Sequence, residues 1–440
     1  MGWVKQWLAG LAACFSGFVL GASIGWSGPM EKPILSGEAY SFSPSIDDWS
    51  WVCAMFTLGA ACMCIPTGLL VRAFGRKLIM LIMLIPGLLG WALIIAARHT
   101  AMLYTGRFTL GACAGAYCVV SPMYTTEIAE VKVRGIMGCF FQLMLVHGIL
   151  FSFIIGAFLK PLLVNIVIGA QPIIWFIFII WLPESPVYLV QKGKPERAMS
   201  GLKTLRKTDA DISSEMAAFE AENKKEKVMV KDAMVRKSTL RGLIIAALLM
   251  MLQQFTGING IVFYVTGIFE KAGTGLSPST CTIITGCVQL IMTFVATLII
   301  DRVGRKVLLL ISAFLMLIAN LTMGFYFKYL TDKNIGWLSI MAIGLFFVGF
   351  AVGFGPICWL VMAELFAEDV KPICASIVGT SGWVFAFVVA KLFPILVKEF
   401  GSAVAFWVFA FFSIVACIFV IFFVPETKGK TLDEIQGMLS

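Results

Sequence analysis

Charge is what this sequence has least of. Asp, Glu, Lys and Arg make up 13% of 440 residues, about half the share of a soluble domain, and there are only 2 histidines. With 60% of the chain apolar or aromatic, no globular interior of this size could hide the rest, because roughly a quarter of the unfolded surface stays wet even at about 300 residues. A soluble enzyme, a nucleic-acid binder and a disordered scaffold are set aside. The chain is an all-α membrane protein in contact with a lipid bilayer, and its net charge of +9 is to be read by which side of the membrane it faces.

Cysteines in paired spacing are also missing. The 12 cysteines all fall inside apolar stretches, with no pattern of a disulfide ladder or zinc site. Cys62 and Cys64, two apart on a helix, point to different sides. All read as small apolar packing residues, and no metal or cofactor is expected. The first 29 residues lack a convincing small-residue cleavage site and read as a spanning helix rather than a signal peptide.

A helix needs about 20 apolar residues to cross a hydrocarbon core of about 30 Å. Charges, Pro and Gly divide the chain into twelve such stretches, near 7–28, 50–71, 78–97, 101–124, 136–160, 162–182, 239–269, 277–300, 306–330, 335–363, 373–397 and 401–424. An even number puts both ends on one side. With cytosolic termini, 25 of the 34 Lys and Arg residues lie inside. Without the long central segment the balance is still 12 to 9, and the clusters Arg72-Arg76-Lys77 and Arg302-Arg305-Lys306 are on the inner side. Both termini are therefore expected in the cytosol. Glu31, Glu38, Asp47 and Asp48 fall in the loop between the first two helices.

Four regions are predicted: a six-helix bundle over 1–183, a cytosolic linker of amphipathic helices over 184–238, a second six-helix bundle over 239–425, and a cytosolic tail over 426–440. The bundles repeat. Gly75-Arg76-Lys77 recurs as Gly304-Arg305-Lys306, Glu127 with Arg134 recurs as Glu364 with Lys371, and Pro183-Glu184-Ser185 recurs as Pro425-Glu426-Thr427. Two like halves with a site between them are the architecture of a secondary transporter that alternates access.

Six strings carry a more specific signal: GRFTLGACAGAYCVVSPMYTTEIAEVKVRG at 106–135, PESPVYLVQKG at 183–193, QQFTGIN at 253–259, DRVGRK at 301–306, GFGPICWLVMAELF at 353–366 and PETKGKTLDEIQ at 425–436. With them the chain resembles the sugar porters of the major facilitator superfamily, most of all the insect facilitated trehalose and glucose transporters. The resemblance implies the major facilitator fold. It also implies a cytosolic latch, formed by Arg76, Glu127, Arg134 and Glu184 in one half and by Arg305, Glu364, Lys371 and Glu426 in the other, that closes when the protein opens outward. One departure stands out: where Asp301 and Arg302 precede the second Gly-Arg, Arg72 and Ala73 precede the first. The acid has become a base, so a weaker or differently paired latch is expected in that half.

Sugar hydroxyls need neutral donors and acceptors, and a pyranose face needs an aromatic wall. Amides at mid-membrane depth are Gln142, Gln253, Gln254, Asn259 and Gln289, expensive there unless they face a cavity or a partner. On an unbroken helix Gln254 and Asn259 would lie about 140° apart, but Gly257 and Gly260 allow a break. The resemblance makes these five amides, with Trp359 and Trp383, the substrate contacts, and Gly257, Gly260, Gly355 and Pro356 the hinges. It also marks Ala351 and Ala386, where polar residues are common in the family, as leaving more room and fewer polar contacts.

A proton symporter needs a protonatable group in its pathway. Every Asp and Glu maps to a helix end or loop, and Ser27 stands where proton-coupled members carry Asp. His147, about 140° around its helix from Gln142, reads as a neutral hydrogen-bonded residue. The expected function is facilitated diffusion of a neutral mono- or disaccharide by a protein that works as a monomer in the cell membrane. A proton-coupled symporter and a non-transporting sensor, the latter motivated by Arg72, are the alternatives. No nucleophile–base pair, metal-ligand spacing or catalytic carboxylate pair suggests an enzyme, and no nucleic acid is expected as partner. Asn320-Leu321-Thr322 is a glycosylation acceptor by pattern but falls inside the ninth helix.

Overall fold

The computed structural model describes residues 2–130, 133–206, 209–224, 234–333, 335–366 and 370–439, and no strand occurs among them. The spanning elements are α1 (Val4–Leu35), α2 (Ile46–Phe74), α3 (Arg76–Ile95), α4 (Thr100–Ile128), α5 (Ile136–Phe158), α6 (Pro161–Ile179), α7 (Lys237–Ala272), α8 (Pro278–Ile300), α9 (Arg305–Leu330), α10 (Trp337–Met362), α11 (Ile373–Phe400) and α12 (Ser402–Phe423). Eleven are both long enough and apolar enough to cross a membrane; α4 has the length, 29 residues, but carries Arg107, Glu127 and a run of Ser, Thr and Gly. It tolerates these because α1, α2 and α3 surround it, and Arg107 is fully buried between them.

The first span differs from its expected limits. A second helix, Ser27–Leu35, follows the first, Gly2–Gly25, so Glu31 sits on a helix rather than in a loop. Five other spans, α3, α5, α6, α7 and α10, are built of two α-helical pieces; α7 breaks between Phe255 and Ile258, and α10 between Val352 and Phe354.

Glycines set how closely the first six helices approach. A Cβ on Gly17, Gly21 or Gly25 of α1 would collide with the backbone carbonyl of Phe141, Leu145 or Ile149 of α5, and one on Gly148 would meet that of Phe18. Gly59, Gly111 and Gly115 do the same between α2 and α4. Small residues at four-residue spacing let membrane helices touch backbone to backbone, which replaces the hydrophobic drive absent in lipid. In the other half, Gly382 of α11 meets the Met250 side chain and Gly344 of α10 meets nothing within 4 Å, while Gly349 and Gly353 of α10 approach the Ser312 and Leu308 carbonyls of α9.

Between the halves, Pro186–Gln191, Pro195–Leu205 and Asp209–Lys224 are helices that share a small apolar core of Leu189, Val190, Ala198, Leu202, Ile212 and Met216. Arg206 of this linker pairs with Glu215 at 2.8 Å and donates to Gln6 at 3.3 Å, which holds the linker under α1. The C-terminal helix Leu432–Leu439 lies on the same face, where Gln436 donates to the Leu365 carbonyl at 2.6 Å.

Candidate functional site

The break in α7 begins at Gly257, whose φ of +109° lies in the left-handed region that a Cβ disfavours. The chain reverses its helical phase there, and the two amides expected on opposite sides come together. Asn259 Nδ2 donates to Gln254 Oε1 at 2.5 Å, Gln254 Nε2 donates to Gln253 Oε1 at 3.1 Å, and Gln253 Nε2 donates to the Phe354 carbonyl of α10 at 2.6 Å. All three side chains are buried. Gly260 follows the break in helical conformation with Phe409 and Phe393 against it.

The relay ends at the second break. Gly353 is non-helical, with φ −136° and ψ −78°, and Phe354 starts the outgoing helix, with Gly355 and Pro356 in its first turn. The Phe354 N–H would be an orphan donor at a helix start; Ser312 Oγ of α9 accepts it at 3.0 Å. The same helix reaches the first break, where Asn320 Nδ2 donates to the Thr256 carbonyl at 3.1 Å.

The remaining predicted contacts stand outside the relay. Gln142 is half-buried on α5. Gln289 of α8 is buried with its Oε1 unpartnered, three residues from Gly286, which packs on Leu150 and Phe153 of α5. Trp383 is buried where α11 meets the other half, its ring 6.4 Å from that of Phe56. Trp359 of α10 lies over Gly379, one turn along α11 from Trp383. Ala351 and Ala386 are both buried, so the extra room expected beside them is not open in this conformation; the halves close over it, α2 packing along α11. His147 Nδ1 bonds the Leu143 carbonyl at 2.9 Å, a bond within its own helix. The cysteines are all free, with Cys62 exposed and Cys64 buried, as their two-residue spacing on a helix requires.

On the linker face the two charged clusters repeat most of their bonds. Arg76 Nη2 meets Glu127 at 2.6 Å, and Arg305 Nη2 meets Glu364 at 3.0 Å. Glu184 accepts the backbone N–H groups of Arg76 and Lys77; Glu426 accepts those of Arg305 and Lys306. Ser185 donates to Glu127 as Thr427 donates to Glu364. Burial alone would raise the Glu426 carboxyl, but N–H donors from Lys428, Arg305 and Lys306, with the Arg305 charge, hold it below its ordinary value. Arg72 is exposed, and the Ala73 carbonyl accepts from Tyr188. The Arg76–Glu127 pair and the Glu184 bonds are made with Arg72 exposed beside them, and the side chain of Asp301, the acid at the equivalent place, lies outside the described residues. Lys371 stands two residues before α11, in the first turn of the same helix, and the side chain of Arg134 lies outside the described residues.

Sequence reading missed the far face, opposite the linker. There Lys391 of α11 reaches Asp47 at 2.7 Å and Ser50 at 2.8 Å, with its ammonium 4.4 Å from the centre of the Trp51 ring. Lys32 pairs with Glu270 at 2.5 Å, and Glu31 of α1 lies against Gly267 of α7. These contacts join the two halves. A cleft of about 390 Å³ opens elsewhere, among Lys271, Phe327, Lys328 and Trp407 of the second half.

Helices in two like bundles, a buried amide relay at the α7 break, paired charge clusters on the linker face and a fully buried Arg107 inside α4 define a membrane carrier. The chain belongs to the family described as sugar (and other) transporters, whose model matches residues 9–439. It is 35% identical over 443 residues to a facilitated trehalose transporter of Apis mellifera ligustica, which covers 99% of this chain and 88% of that protein. A counterpart in Culex quinquefasciatus is 34% identical over 98% of this chain and 85% of its own. With the Anopheles gambiae protein the identity is 35%, but the chain spans 55% of that longer sequence. In fold it matches a proton:xylose symporter bound to 6-bromo-6-deoxy-D-glucose, with a TM-score of 0.79 at 22% identity over 99% of this chain and 98% of that one. A partially occluded inward-open xylose transporter from E. coli gives 0.81 at 21% identity over 97% and 100%.

Proposed function

We propose that this protein equilibrates a neutral sugar, trehalose or a hexose, across the cell membrane by alternating access, as a monomer with both termini in the cytosol. The observation that carries the reading is the relay of uncharged amides buried at the α7 break, a set of donors and acceptors suited to hydroxyls. Gln254 and Asn259 meet the sugar, Gln142 and Gln289 approach it from α5 and α8, and Trp359 and Trp383 wall its apolar face. Gly257, Gly260, Gly355 and Pro356 let the broken spans swing. The clusters around Arg76–Glu127–Glu184 and Arg305–Glu364–Glu426, with Arg134 and Lys371, act as the cytosolic latch. Transport by trehalose carriers of similar sequence supports the substrate class. Uniport is favoured because His147 bonds its own helix. The sensor reading stays second, since the cluster beside Arg72 keeps its Arg76–Glu127 pair as the other half keeps Arg305–Glu364.

The test is radiolabelled uptake into proteoliposomes, trehalose beside glucose, with and without a pH gradient and an uncoupler. Uptake that equilibrates, ignores the gradient and is lost in Gln254→Ala is the expected result. Accumulation that collapses with the uncoupler would mean symport; binding without flux would mean a sensor.

A further inference from the structure

The second half carries a cleft that the proposed transport does not use. It lies on the face opposite the linker, where α7 and α9 end and α12 begins, and its volume of about 390 Å³ falls in the range of about 300–1,000 Å³ that holds small ligands. Tyr326 sets it up. Its hydroxyl donates to the Ala272 carbonyl at 2.6 Å, which fastens the end of α9 to the end of α7 beside Lys271. From Tyr326 to Leu330 the helix widens into a π turn, a distortion that recurs at functional sites, and Lys328 stands within it. Both lysines therefore line one cleft. Neither makes an ion pair or a hydrogen bond among the described residues, whereas Lys32 and Lys391 on the same face are paired. The Glu31 carboxylate is near enough to feel the Lys271 charge but forms no ion pair with it.

One wall of the cleft is Trp407, whose indole lies so close on Gly324 of α9 that a Cβ there would come within 2.2 Å of the ring. Another is Phe327, stacked on Phe406 at 5.7 Å. Tryptophan is common at the headgroup level of a bilayer, because its ring suits the hydrocarbon and its N–H the water. Toward the membrane interior the surface turns apolar. Phe325 and Leu321 of α9 and Phe411 and Ile414 of α12 are exposed, and Phe325 meets the Trp407 ring edge-on at 5.9 Å. Two unpaired ammonium groups above such a strip are complementary to an anionic head carried on hydrocarbon chains, and basic pockets between spanning helices bind lipid headgroups. We propose that this cleft is a binding site for a glycerophospholipid, with Lys271 and Lys328 holding its phosphate and an acyl chain lying along α9 and α12 past Trp407. The bound lipid ties the last turn of α7 to α9 and α12.

Purified full-length protein in detergent micelles tests this, with bound lipid counted by native mass spectrometry and the thermal midpoint followed alongside. Phosphatidylglycerol, phosphatidylcholine, diacylglycerol and inorganic phosphate are added in turn. Phosphatidylglycerol should bind and raise the midpoint, phosphatidylcholine should bind more weakly because its own cation meets the lysines, and diacylglycerol, which has the chains without the phosphate, should not bind. A lysine beside an anionic lipid surface is worth about fivefold in affinity, so Lys271→Ala with Lys328→Ala should weaken phosphatidylglycerol binding about 25-fold. Lys271→Arg with Lys328→Arg, which keeps both charges, should stay within about 3-fold of the native protein. Arg98→Ala with Lys160→Ala removes two exposed charges from the same face of the first half and should change nothing. Equal loss in the two double alanine variants means a general effect of charge and overturns the site, as does undiminished binding in Lys271→Ala with Lys328→Ala. If inorganic phosphate raises the midpoint as far as phosphatidylglycerol does, the cleft takes a soluble anion and the lipid assignment is wrong. Each variant's midpoint without lipid checks its fold; should the double variant fail, the single lysine variants decide, at about fivefold each.

Discussion

Asn320 shows how a single residue changes meaning once its neighbours are known. In the sequence it belongs to a glycosylation pattern in an impossible place; in the fold its Nδ2 holds the Thr256 carbonyl beside Gly257. Asn320→Leu should destabilise the protein by about 1–3 kcal/mol, the penalty for a buried carbonyl left without its donor, read as a lower thermal midpoint in detergent. Gly257→Ala should do at least as much harm, since φ is +109° and Phe409 occupies the place a Cβ would take. The three α7 amides were legible from sequence because an amide in hydrocarbon demands an explanation. Ser312 and Asn320 were not. A Ser or Asn within a span reads the same whether it bonds its own helix, as most here do, or a neighbour's broken backbone.

At the scale of elements, the spans could be placed by length and composition, and α4 by its position in the series although its composition is the least apolar. The breaks in α7 and α10 were marked by glycines. The extension of α1 past Trp26 was not, because Gly28, Pro29 and Pro33 read as loop chemistry, while packing of that segment on α7 keeps it helical. The end clusters were legible as repeats, and the half that carries Arg72 keeps the Arg–Glu pair and the Glu bonds to backbone N–H groups that the other half has. Arg72→Asp should leave stability within about 0.5 kcal/mol and uptake within about twofold, the usual range for a surface change. Acid should act on the second cluster through Glu426. Its carboxyl sits below the ordinary 4.5 in the fold, so the stability it adds is present above that pH and lost as pH falls through the lower folded value. The gap in thermal midpoint between the native protein and Glu426→Gln should therefore close as pH is taken from 6 toward the bottom of the carboxylate range, about 3–4; a gap that persists unchanged would rule this out.

For the whole molecule, the face opposite the linker is closed by contacts between the halves, and Lys391 alone makes three of them. Exposed pairs are worth about 0.2–1 kcal/mol each. Lys391→Gln should therefore shift the balance of open states only a few-fold, seen as a changed ratio of apparent sugar affinities measured from the two sides of the vesicle. The glycines of α1, α2, α4 and α5 have a different kind of effect. They bring backbones into contact over several turns in the first half, whereas in the second half such contact is local, at Gly349 and Gly353 of α10 against the Ser312 and Leu308 carbonyls and at Gly336. On the proposed function such a carrier would have a stator and a rotor, with the first bundle as the frame and α7 and α10 bending against it. Amide hydrogen exchange should accordingly be slowest along α1 and α5 and fastest around residues 256–260 and 353–356.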